Sequence, residues 1–545
     1  MSHDQITRTP TPRNEPVRDY APGSMERASL KATLAAAIGA EPLVIPARIG
    51  ADRVETGSVG ETRAPHEHAR LLARFHKCGA AEVQHAIAAA GRAQPDWSAM
   101  AWQDRAAVFL KAAELLAGPY RDRINAATML GQSKTVHQAE IDAACELVDF
   151  WRFNVHYMEK VYEEQPESAP GSWNRLEHRP LEGFVLAVTP FNFTSIAGNL
   201  PTAPALMGNA VLWKPASTAI LSAHVIMEVL DAAGLPPGVI NFLPGDGPDV
   251  GDPALASPAL AGIHFTGSTG TFQTMWRKVG ENIGEYRSYP RVVGETGGKD
   301  FVFAHPSADR EALVTAILRG AFEYQGQKCS AVSRAFIPET LWDGVLDALA
   351  AQIAQVGMGS PLDFRNFMCA VIDGKSHASI KAYLEHARDS GNHEIILGGK
   401  TDDSVGWFVE PTVVVANAPD TRLMREEIFG PVLTLYRYPE KRMEAALAAL
   451  DCASPYALTG AIFCRDRGEI ARLSNVLRFA AGNFYINDKP TGAVVGQQPF
   501  GGGRASGTND KAGSALNLMR WVSPRAIKET FSPPVDFRYR HMAAE

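Results

Sequence analysis

The sequence predicts an α/β fold of two or more domains built on parallel β-sheets. Short β-rich runs, FVLAVTP, AVLWKP, VINFLP, IHFTGS and RVVGET, begin at Phe184, and most segments between them have helical periodicity. Such alternation is typical of βαβ units. A second alternating region follows Glu295, and a chain of 545 residues that is 46% apolar exceeds one ordinary domain. A domain boundary is therefore predicted just after Glu295.

Composition and charge favour a protein that acts on small molecules. The formal net charge is −7, and acidic and basic residues are mixed along the chain without a basic block. This argues against partners such as nucleic acid or an anionic membrane surface. No apolar run approaches the roughly 18 residues of a membrane span, and the N-terminal segment lacks an apolar signal core and the acid-poor character of a transit peptide. We expect a cytoplasmic protein.

The N-terminal segment and the cysteines set two further expectations. Pro, Arg and Ser are frequent up to about Glu26, which indicates an arm outside the core, either loose or ordered on contact. Helical periodicity follows, as in Ala101–Gly118. No CxxC spacing occurs, so reduced thiols are expected at positions 78, 145, 329, 369, 452 and 464.

The stretch YQGQKCSAVS, Tyr324–Ser333, places one cysteine in a polar setting that contains glycine. A lone cysteine is more often a buried small hydrophobe than a nucleophile. Here Cys329 follows a helix-like segment, and Lys328 is a neighbouring cation that could favour the thiolate. The other cysteines lie in apolar or Ala-rich segments and are interpreted as packing residues. Cys329 is therefore the candidate nucleophile.

Two polar residues follow predicted strands. Glu295, in RVVGETGGKD, stands at the carboxyl end of a strand, where open α/β sheets bind ligands, although it could be a solvated loop acid. Asn192, in TPFNFT, could donate to a developing oxyanion. Asn is also a common turn residue, which is the alternative for Asn192 on this segment alone.

Three segments are candidates for binding anions. HFTGSTGTF, His264–Phe272, could open a helix whose free amides face a phosphate, or form only a tight turn. Lys214 could bind ribose hydroxyls or be an exposed strand-end lysine. The glycine-rich Ile486–Asp510 permits converging backbone amides or a flexible loop. The spacing of HEH at His66–His68 suits no common metal site, so it is interpreted as a solvated turn.

These motifs together resemble those of the aldehyde dehydrogenase superfamily. TPFNFT, WKPAS, FTGST, ETGGK, GQKCS and EEIFGP occur in the family's order. GQKCSAVSR, AEIDAACELVDFWRFN and DKPTGAVVGQQPFGGGRASGTND are most similar to members that oxidise L-glutamate γ-semialdehyde. The resemblance extends from about Val44 to the carboxyl end. It implies a Rossmann-type cofactor domain, an α/β catalytic domain and a β oligomerisation flap.

The resemblance also implies limits for these parts. The NAD-binding domain would comprise residues 44–165 and 181–295, and the catalytic domain residues 296–513. The flap would combine residues 166–180 and 514–545, and residues 1–43 would form the N-terminal arm. A projecting β element buries its edge by pairing with another subunit, so a homodimer or higher homo-oligomer is expected.

For catalysis, the resemblance implies roles for three residues. Cys329 would attack the aldehyde to form a thiohemiacetal, and the Asn192 amide and the Cys329 backbone N–H would hold the oxyanion. Hydride transfer to the nicotinamide would leave a thioester. Glu295 would then act as general base for the water that hydrolyses the thioester. No metal is expected.

The implied cofactor is NAD, bound without the usual dinucleotide fingerprint. Lys214 would bind the adenosine ribose and Glu427 the nicotinamide ribose, with Phe429 beside it. The other expected contacts are Thr189, Ser217, Gly267, Ser268, Thr269, Gly270 and Thr271. Ser217 leaves no acid beside Lys214 to repel a 2′-phosphate, so charge alone does not exclude NADP.

The implied substrate is L-glutamate γ-semialdehyde, formed when pyrroline-5-carboxylate opens its ring, and its oxidation to L-glutamate is the second step of proline catabolism. Ser330 and the stretch Pro490–Ala493 resemble the family's anchor for the α-carboxylate. The expected substrate-binding residues are Ser330, Gly492, Ala493, Phe193 and Phe500, the two phenylalanines enclosing the aliphatic chain. Some members carry Ser at the position of Ala493, so anchoring there must come from the backbone amide.

Other functions stay open at this point. Acylating semialdehyde dehydrogenases pass the thioester to CoA or phosphate, and they commonly lack a base at the position of Glu295. An aldehyde dehydrogenase for another semialdehyde is a further alternative. A structural or regulatory protein could also retain the fold and bind the cofactor without activity. Cys329, Glu295 and Asn192 together argue against such a protein.

Overall fold

The computed structural model of the protein describes residues 6–545. Its strands, in chain order, are β1 Leu43–Ile45, β2 Ala47–Ile49, β3 Asp52–Val54, β4 Val59–Ala64, β5 Glu67–His76, β6 Ser172–Pro180, β7 Phe184–Val188, β8 Ala210–Lys214, β9 Ile240–Phe242, β10 Leu260–Thr266, β11 Arg291–Glu295, β12 Asp300–Ala304, β13 Val332–Pro338, β14 His393–Leu397, β15 Thr401–Asp402, β16 Phe408–Val409, β17 Thr412–Ala416, β18 Val432–Tyr438, β19 Tyr456–Ala457, β20 Thr459–Phe463, β21 Asn483–Ile486, β22 Gly503–Arg504 and β23 Val522–Thr530.

Helices separate most of these strands. They are α1 Met25–Gly39, α2 Ala80–Ala99, α3 Trp102–Ala117, α4 Arg121–Gln132, α5 Val136–Ala139, α6 Glu146–Glu163, α7 Thr194–Leu206, α8 Ile220–Ala233, α9 Gly247–Leu255, α10 Thr269–Glu281, α11 Arg310–Phe322, α12 Glu339–Ile353, α13 Gly374–Asp389, α14 Arg422–Arg425, α15 Met443–Cys452, α16 Arg467–Val476 and α17 Ala515–Leu518. A π-helical turn, Glu140–Cys145, joins α5 to α6. Within the described part of the chain, no helix is both long and apolar enough to cross a membrane.

The first large sheet is parallel at its centre and covered on both faces. Its strand order is β11-β10-β7-β8-β9-β2-β3, with β2 and β3 in antiparallel pairings. Alternate residues of β7 enter opposite cores: Val185 and Ala187 pack with residues of α3, α7 and α8, whereas Phe184 and Leu186 pack with residues of α2, α9 and α10. Burial on both faces explains why the sequence of β7 is a continuous apolar run.

The second large sheet is formed by strands that follow β11 in the chain. Its order is β14-β17-β18-β13-β12-β20-β21, and only β14 is antiparallel to its neighbour. Helices α11 and α12 contribute to the core on one face, and α15 and α16 to the core on the other. Residues 296–299, which include a pair of glycines, connect β11 of the first sheet to β12 of the second. The two sheets are therefore joined beside the end of β11.

The predicted elements agree with the observed ones within a few residues. The amphipathic segment predicted at Ala101–Gly118 is α3, Trp102–Ala117. Its buried residues, spaced by one, three and four positions, are Arg105, Ala106, Phe109, Ala112, Ala113 and Leu116. The spacing places them on one face of the helix, which explains why periodicity alone located it.

Strands β6 and β23 form a separate antiparallel ribbon in which Pro180 is opposite Val522 and Ser172 is opposite Thr530. Trp173 on this ribbon is 53% exposed. The ribbon contains parts of both segments of the predicted flap. Its role in oligomerisation and the predicted domain limits stay predictions.

The N-terminal arm is tied to the body of the protein. Residues 1–5 of the predicted arm lie outside the described residues. The prediction that the chain before Glu26 stays out of the core is wrong for Tyr20, which is 2% exposed and packs with Leu30 and Leu34 of α1 and Met129 of α4. Its hydroxyl donates a 2.8 Å hydrogen bond to Glu140. Sequence composition did not show this buried polar partner.

Candidate active site

One cavity brings together residues that are far apart in the sequence. It has a volume of 420 Å³ and lies where the carboxyl end of β11 meets the loop before β13. The predicted site residues that line it are Glu295, Cys329, Ser330, Phe193, Phe500, Gly492 and Ala493. The structure therefore places two of the three predicted catalytic residues, Cys329 and Glu295, in one space with all five predicted substrate residues.

Two glutamine side chains hold the loop that carries Cys329. Gln325 Oε1 accepts a 3.0 Å hydrogen bond from the backbone N–H of Cys369, and Gln327 Oε1 accepts one of 2.9 Å from that of Ile372. Cys369 and Ile372 lie in an irregular segment, where their backbone N–H groups have no acceptor in a helix or sheet. The two glutamine side chains accept these hydrogen bonds instead. The polar residues before Cys329 are therefore structural supports.

The backbone of this loop is constrained as well. Tyr324, Gln325 and Gly326 have left-handed φ values of 50°, 56° and 65°. A Cβ atom on Gly326 would overlap the carbonyl group of Gly430. Residues in this conformation persist only where the surrounding contacts impose it, and here they turn the chain towards Cys329.

Cys329 is a buried thiol among carboxyl groups. Burial raises its pKa well above the usual range, and the charges of Glu295, Asp300 and Glu427 raise it further. The raised pKa favours the protonated thiol, which would have to lose its proton to act as a nucleophile, because only the thiolate is strongly nucleophilic.

The expectation that Lys328 favours the thiolate is wrong. Its ammonium group donates a 3.0 Å hydrogen bond to Glu323, and both side chains are buried. Lys328 thus stabilises the turn before Cys329. The packing interpretation also fails for Cys452, which is exposed, whereas it holds for the buried cysteines at positions 78, 145, 369 and 464.

Asn192 contacts the cysteine loop from the first sheet. It lies after β7, is 4% exposed, and donates from Nδ2 a 3.1 Å hydrogen bond to the backbone carbonyl of Gln327. A side-chain amide has a second N–H. The contact therefore fixes the amide beside the loop of Cys329 and leaves a donor for another oxygen atom.

Glu295 ends β11 with one carboxylate oxygen that has no hydrogen-bond partner among residues 6–545. Burial raises its pKa to about 7, against the opposing charge of Lys511. A carboxyl group with a pKa near neutrality can exchange a proton with water at physiological pH. The geometry and the pKa both suit a general base.

The glycine pair after Glu295 allows close approach of two other acidic groups. The backbone N–H of Gly298 donates a 3.0 Å hydrogen bond to Glu427. A Cβ on Gly297 would overlap the Glu427 carboxyl group, and one on Gly298 would overlap the Asp300 carboxyl group and the backbone carbonyl of Cys329. Burial raises the pKa of Glu427 to about 7. Phe429 nearby in sequence has a left-handed φ of 55°.

The predicted phosphate-facing segment does open a helix. Ser268 caps α10 by accepting a 3.2 Å hydrogen bond from the N–H of Thr271, and the N–H of Gly267 donates to the Glu295 carbonyl at 3.1 Å. The remaining amides of the first turn have no acceptor within the helix. A Cβ on Gly270 would meet no atom within 4 Å, so the start of the helix is open. This end fits an anionic group.

Lys214 and Thr189 lie side by side at the ends of β8 and β7. The N–H of Thr189 donates to the Lys214 carbonyl at 3.1 Å, and the Thr189 hydroxyl accepts a 2.9 Å bond from Trp213 Nε1. The hydroxyl proton of Thr189 is thus left for another acceptor. Burial lowers the pKa of Lys214.

The expectation that no acid lies beside Lys214 is wrong. Ser217 donates to the Gly245 carbonyl at 3.4 Å, and the next residue, Asp246, lies close enough for its charge to act on Lys214. Asp246 also accepts a 3.0 Å hydrogen bond from Lys77. The loop after β9 places Asp246 beside Lys214, and this contact depends on the order of the strands in the sheet.

A loop of residues 490–498, here called the anchor loop, lines the same cavity as Cys329. The hydroxyls of Thr491 and Ser330 are hydrogen-bonded at 2.8 Å, and Lys489 Nζ donates to the Thr491 carbonyl at 3.0 Å. Gly492 has a φ of 89°, which favours glycine. These bonds place the backbone amides of the loop at the cavity wall.

The sequence profile of the aldehyde dehydrogenase family matches residues 54–527. This chain belongs to the aldehyde dehydrogenase family. The predicted α/β fold class and the resemblance to this family are thereby confirmed.

Relatives cover nearly all of this aldehyde dehydrogenase. A Dictyostelium discoideum protein named delta-1-pyrroline-5-carboxylate dehydrogenase, mitochondrial, is 52% identical over 99% of this chain and 98% of its own length. A Delta-pyrroline-5-carboxylate dehydrogenase structure from Mycobacterium tuberculosis, bound with NAD, has a TM-score of 0.96 at 55% identity and covers 99% of this chain and 100% of that one. A Thermus 1-pyrroline-5-carboxylate dehydrogenase with bound NAD has a TM-score of 0.90 at 30% identity, covering 96% and 100%.

Sequence reasoning missed an acidic residue of the cavity. Glu146, in the first turn of α6, lines the wall and accepts a 2.8 Å hydrogen bond from Ser195. Burial and the charge of Asp142, which pairs with the buried Lys134, together raise its pKa to about 8. Several acids in the otherwise apolar helical segment AEIDAACELVDFWRFN were the available signal, since buried carboxylates need partners.

The interpretation of HEH as a solvated turn is wrong for its first histidine. His66 is 5% exposed, and its ring nitrogen Nδ1 lies 3.3 Å from the Ser133 hydroxyl. Burial lowers its pKa to about 4. No group of three or more side chains suited to a metal ion occurs in the described residues.

Proposed function

We propose that this aldehyde dehydrogenase oxidises L-glutamate γ-semialdehyde, the open form of pyrroline-5-carboxylate, to L-glutamate with NAD, the second step of proline catabolism. One observation carries the proposal: a single cavity is lined by Cys329, by Glu295 and by the anchor loop, which is hydrogen-bonded to Ser330 next to Cys329. The names of its relatives support the substrate, and the NAD-bound structures of similar proteins support the cofactor.

In the first step, Cys329 attacks the aldehyde carbon and a thiohemiacetal forms. The thiol proton passes to a carboxylate or to water. Glu295 is the nearby carboxylate, since its charge is close enough to raise the pKa of the thiol. The free N–H of Asn192 and the backbone N–H of Cys329 hold the oxyanion, where negative charge gathers as the tetrahedral centre forms.

The residues expected to hold NAD fit an anionic dinucleotide. The open start of α10 would face the pyrophosphate, Lys214 would bind the adenosine ribose, and Glu427 would bind the nicotinamide ribose. When bound, NAD would supply the hydride acceptor, and oxidation of the thiohemiacetal carbon would leave a thioester on Cys329. Asp246 beside Lys214 disfavours a 2′-phosphate, so NAD is preferred over NADP.

In the last step, Glu295 takes a proton from water and the thioester is hydrolysed. Its unpartnered carboxylate oxygen is the acceptor, and its pKa of about 7 keeps much of it ionised at neutral pH. Cys329 leaves as the product carboxylate is released. The base also distinguishes this chemistry from transfer of the thioester to CoA or phosphate.

Recognition takes place at the anchor loop. Ser330 and the backbone amides of Gly492 and Ala493 would hold the α-carboxylate, because charge-assisted hydrogen bonds are stronger than neutral ones. Phe193 and Phe500 line the same cavity and would enclose the aliphatic chain between the two ends.

Product analysis tests this proposal. With pyrroline-5-carboxylate and NAD, we expect NADH and L-glutamate in equal amounts, unchanged when CoA or phosphate is added. Acyl-CoA or acyl phosphate in place of glutamate would show an acylating dehydrogenase. No NADH from pyrroline-5-carboxylate, with turnover of another semialdehyde, would show a different substrate.

We also infer a homo-oligomer, because the β6–β23 ribbon leaves Trp173 and its outer edges exposed. Light scattering at micromolar concentration should give at least the mass of a dimer; a monomer mass would reject the inference. A cytoplasmic location stays a prediction, which cell fractionation tests, since several relatives, including that of Dictyostelium discoideum, are named mitochondrial.

A further inference from the structure

The N-terminal arm is attached along α6 and the π-helical turn by hydrogen bonds to buried carboxylates. Its donors are the backbone N–H groups of Thr9, Glu15 and Arg18, and the acceptors, in the same order, are Glu159, Asp149 and Glu140, at 2.7, 2.7 and 2.9 Å. All three carboxylates are buried. Buried charges require such partners, so the course of the arm is fixed by the fold beneath it.

Asn14 connects this arm to the anchor loop. Its Nδ2 group donates to Asp149 and to the backbone carbonyl of Val495, each at 2.8 Å. Its Oδ1 atom accepts a 3.1 Å hydrogen bond from Gln497. One half-buried amide therefore uses both of its N–H groups and its oxygen to join α6 to the loop.

The arm is also part of the cavity wall. Asn14, Glu15 and Val17 line the same cavity as Cys329. The carbonyl that Asn14 holds belongs to Val495, which is 5% exposed and lies two residues after Ala493. The restraint thus acts next to the amides expected to bind the substrate's carboxylate.

We propose that Asn14 is a positioning residue for substrate recognition, which sets the distance between the anchor loop and α6 through the Val495 carbonyl. This proposal rests on the proposed function, in which the anchor loop binds the α-carboxylate. Backbone amides bind an anion well only when they are held at the correct separation, and a loop that contains Gly492 and Gly496 needs restraint from outside. The arm supplies that restraint.

Kinetics of Asn14→Ala test the proposal. We expect KM for pyrroline-5-carboxylate to rise about five-fold, the effect of one lost hydrogen bond, with kcat and the KM for NAD unchanged. With propanal, which has no carboxylate, no parameter should change. Asn14→Asp, which keeps the size but replaces the donor with a carboxyl group beside Asp149, should raise the KM for pyrroline-5-carboxylate at least as much. An equal loss with both aldehydes, or no change in KM, would overturn the proposal.

Thr9→Val is the matched control on the same arm. It removes the hydroxyl that donates to Glu159, keeps the backbone N–H, and lies away from the cavity, so the KM for pyrroline-5-carboxylate should stay at the wild-type value. A rise equal to that of Asn14→Ala would mean that the arm acts only through general stability.

Hydrogen exchange separates failure of this proposal from failure of the proposed function. Peptides that cover residues 490–498 should exchange faster in Asn14→Ala than in wild type, and those that cover α10 should not change. This readout needs no substrate, so it holds even if wild type fails to oxidise pyrroline-5-carboxylate. Unchanged exchange in the anchor loop would reject the role of Asn14.

Discussion

Two parts of the site differ in how completely their polar groups are paired: the residues around Cys329, here called the reaction end, and the anchor loop with its partners, here called the recognition end. At the reaction end, a Glu295 oxygen, an Asp300 oxygen and the Gln327 amide nitrogen have no hydrogen-bond partner among residues 6–545. At the recognition end, Thr491 is paired with Ser330, and the Val495 carbonyl accepts from Asn14.

The difference shows what each end has to do. Buried carboxyl groups have raised pKa values, and Glu295 and Glu427 both have pKa values of about 7, so they can change charge during a reaction. Paired groups hold one geometry, which is what a site for a fixed anion needs. Mutations at the two ends should therefore separate kcat from KM.

The largest effect should come from the nucleophile. Cys329→Ser should lower kcat by more than about a thousand-fold, because a hydroxyl without a strong base is a poor nucleophile at this position. Cys452→Ser, which changes an exposed thiol, is the control and should keep wild-type activity. NADH absorbance in the steady state is the measurement; activity retained in Cys329→Ser would remove the covalent mechanism.

Glu295→Gln should have the next largest effect and a distinct time course. Loss of the base should slow hydrolysis by about a hundred-fold or more. The first turnover can still form the thioester, so stopped flow should show an NADH burst followed by a slow phase. A slow phase with no burst would place Glu295 before hydride transfer.

The wild-type pH profile tests the same group without a mutation. A general base is active when deprotonated, and burial raises the pKa of Glu295 to about 7, so kcat should rise as the pH increases through about 7 and fall below it. A rate that is constant from pH 5 to 8 would contradict this assignment. Enzyme stability is measured at each pH as the control.

Gly297→Ala should affect cofactor binding by a smaller amount. The added methyl would overlap the Glu427 carboxyl group and displace it, so the KM for NAD should rise about ten-fold, the effect of a lost hydrogen bond to a charged group. Gly280→Ala in α10, where a Cβ meets no atom within 4 Å, is the control and should leave the KM for NAD unchanged.

Much of the reaction end could be predicted from sequence, and less of the recognition end. Cys329, Glu295 and Asn192 lie in short motifs, and the places of Glu295 and Asn192 after strands follow from local patterns. Asn14 and Glu146 lie in an arm and a helix, and only the tertiary packing brings them to the cavity. The sequence around such residues does not predict that they will line a cavity.

The smallest effect should come from Ala493→Ser at the recognition end. A hydroxyl at this wall adds one donor for the α-carboxylate, so the KM for pyrroline-5-carboxylate should fall about five-fold at most, with kcat unchanged. Propanal, measured in parallel, should show no gain. A gain with both aldehydes would point to a general change in the cavity.

The most direct test of a carboxylate anchor in the anchor loop is the ratio of kcat/KM for pyrroline-5-carboxylate to that for propanal, with succinate semialdehyde run beside them. Two charge-assisted hydrogen bonds to the carboxylate predict a preference for pyrroline-5-carboxylate of about a hundred-fold or more over propanal. A ratio near one, or preference for succinate semialdehyde, would contradict the role assigned to the anchor loop while leaving the chemistry of Cys329 in place.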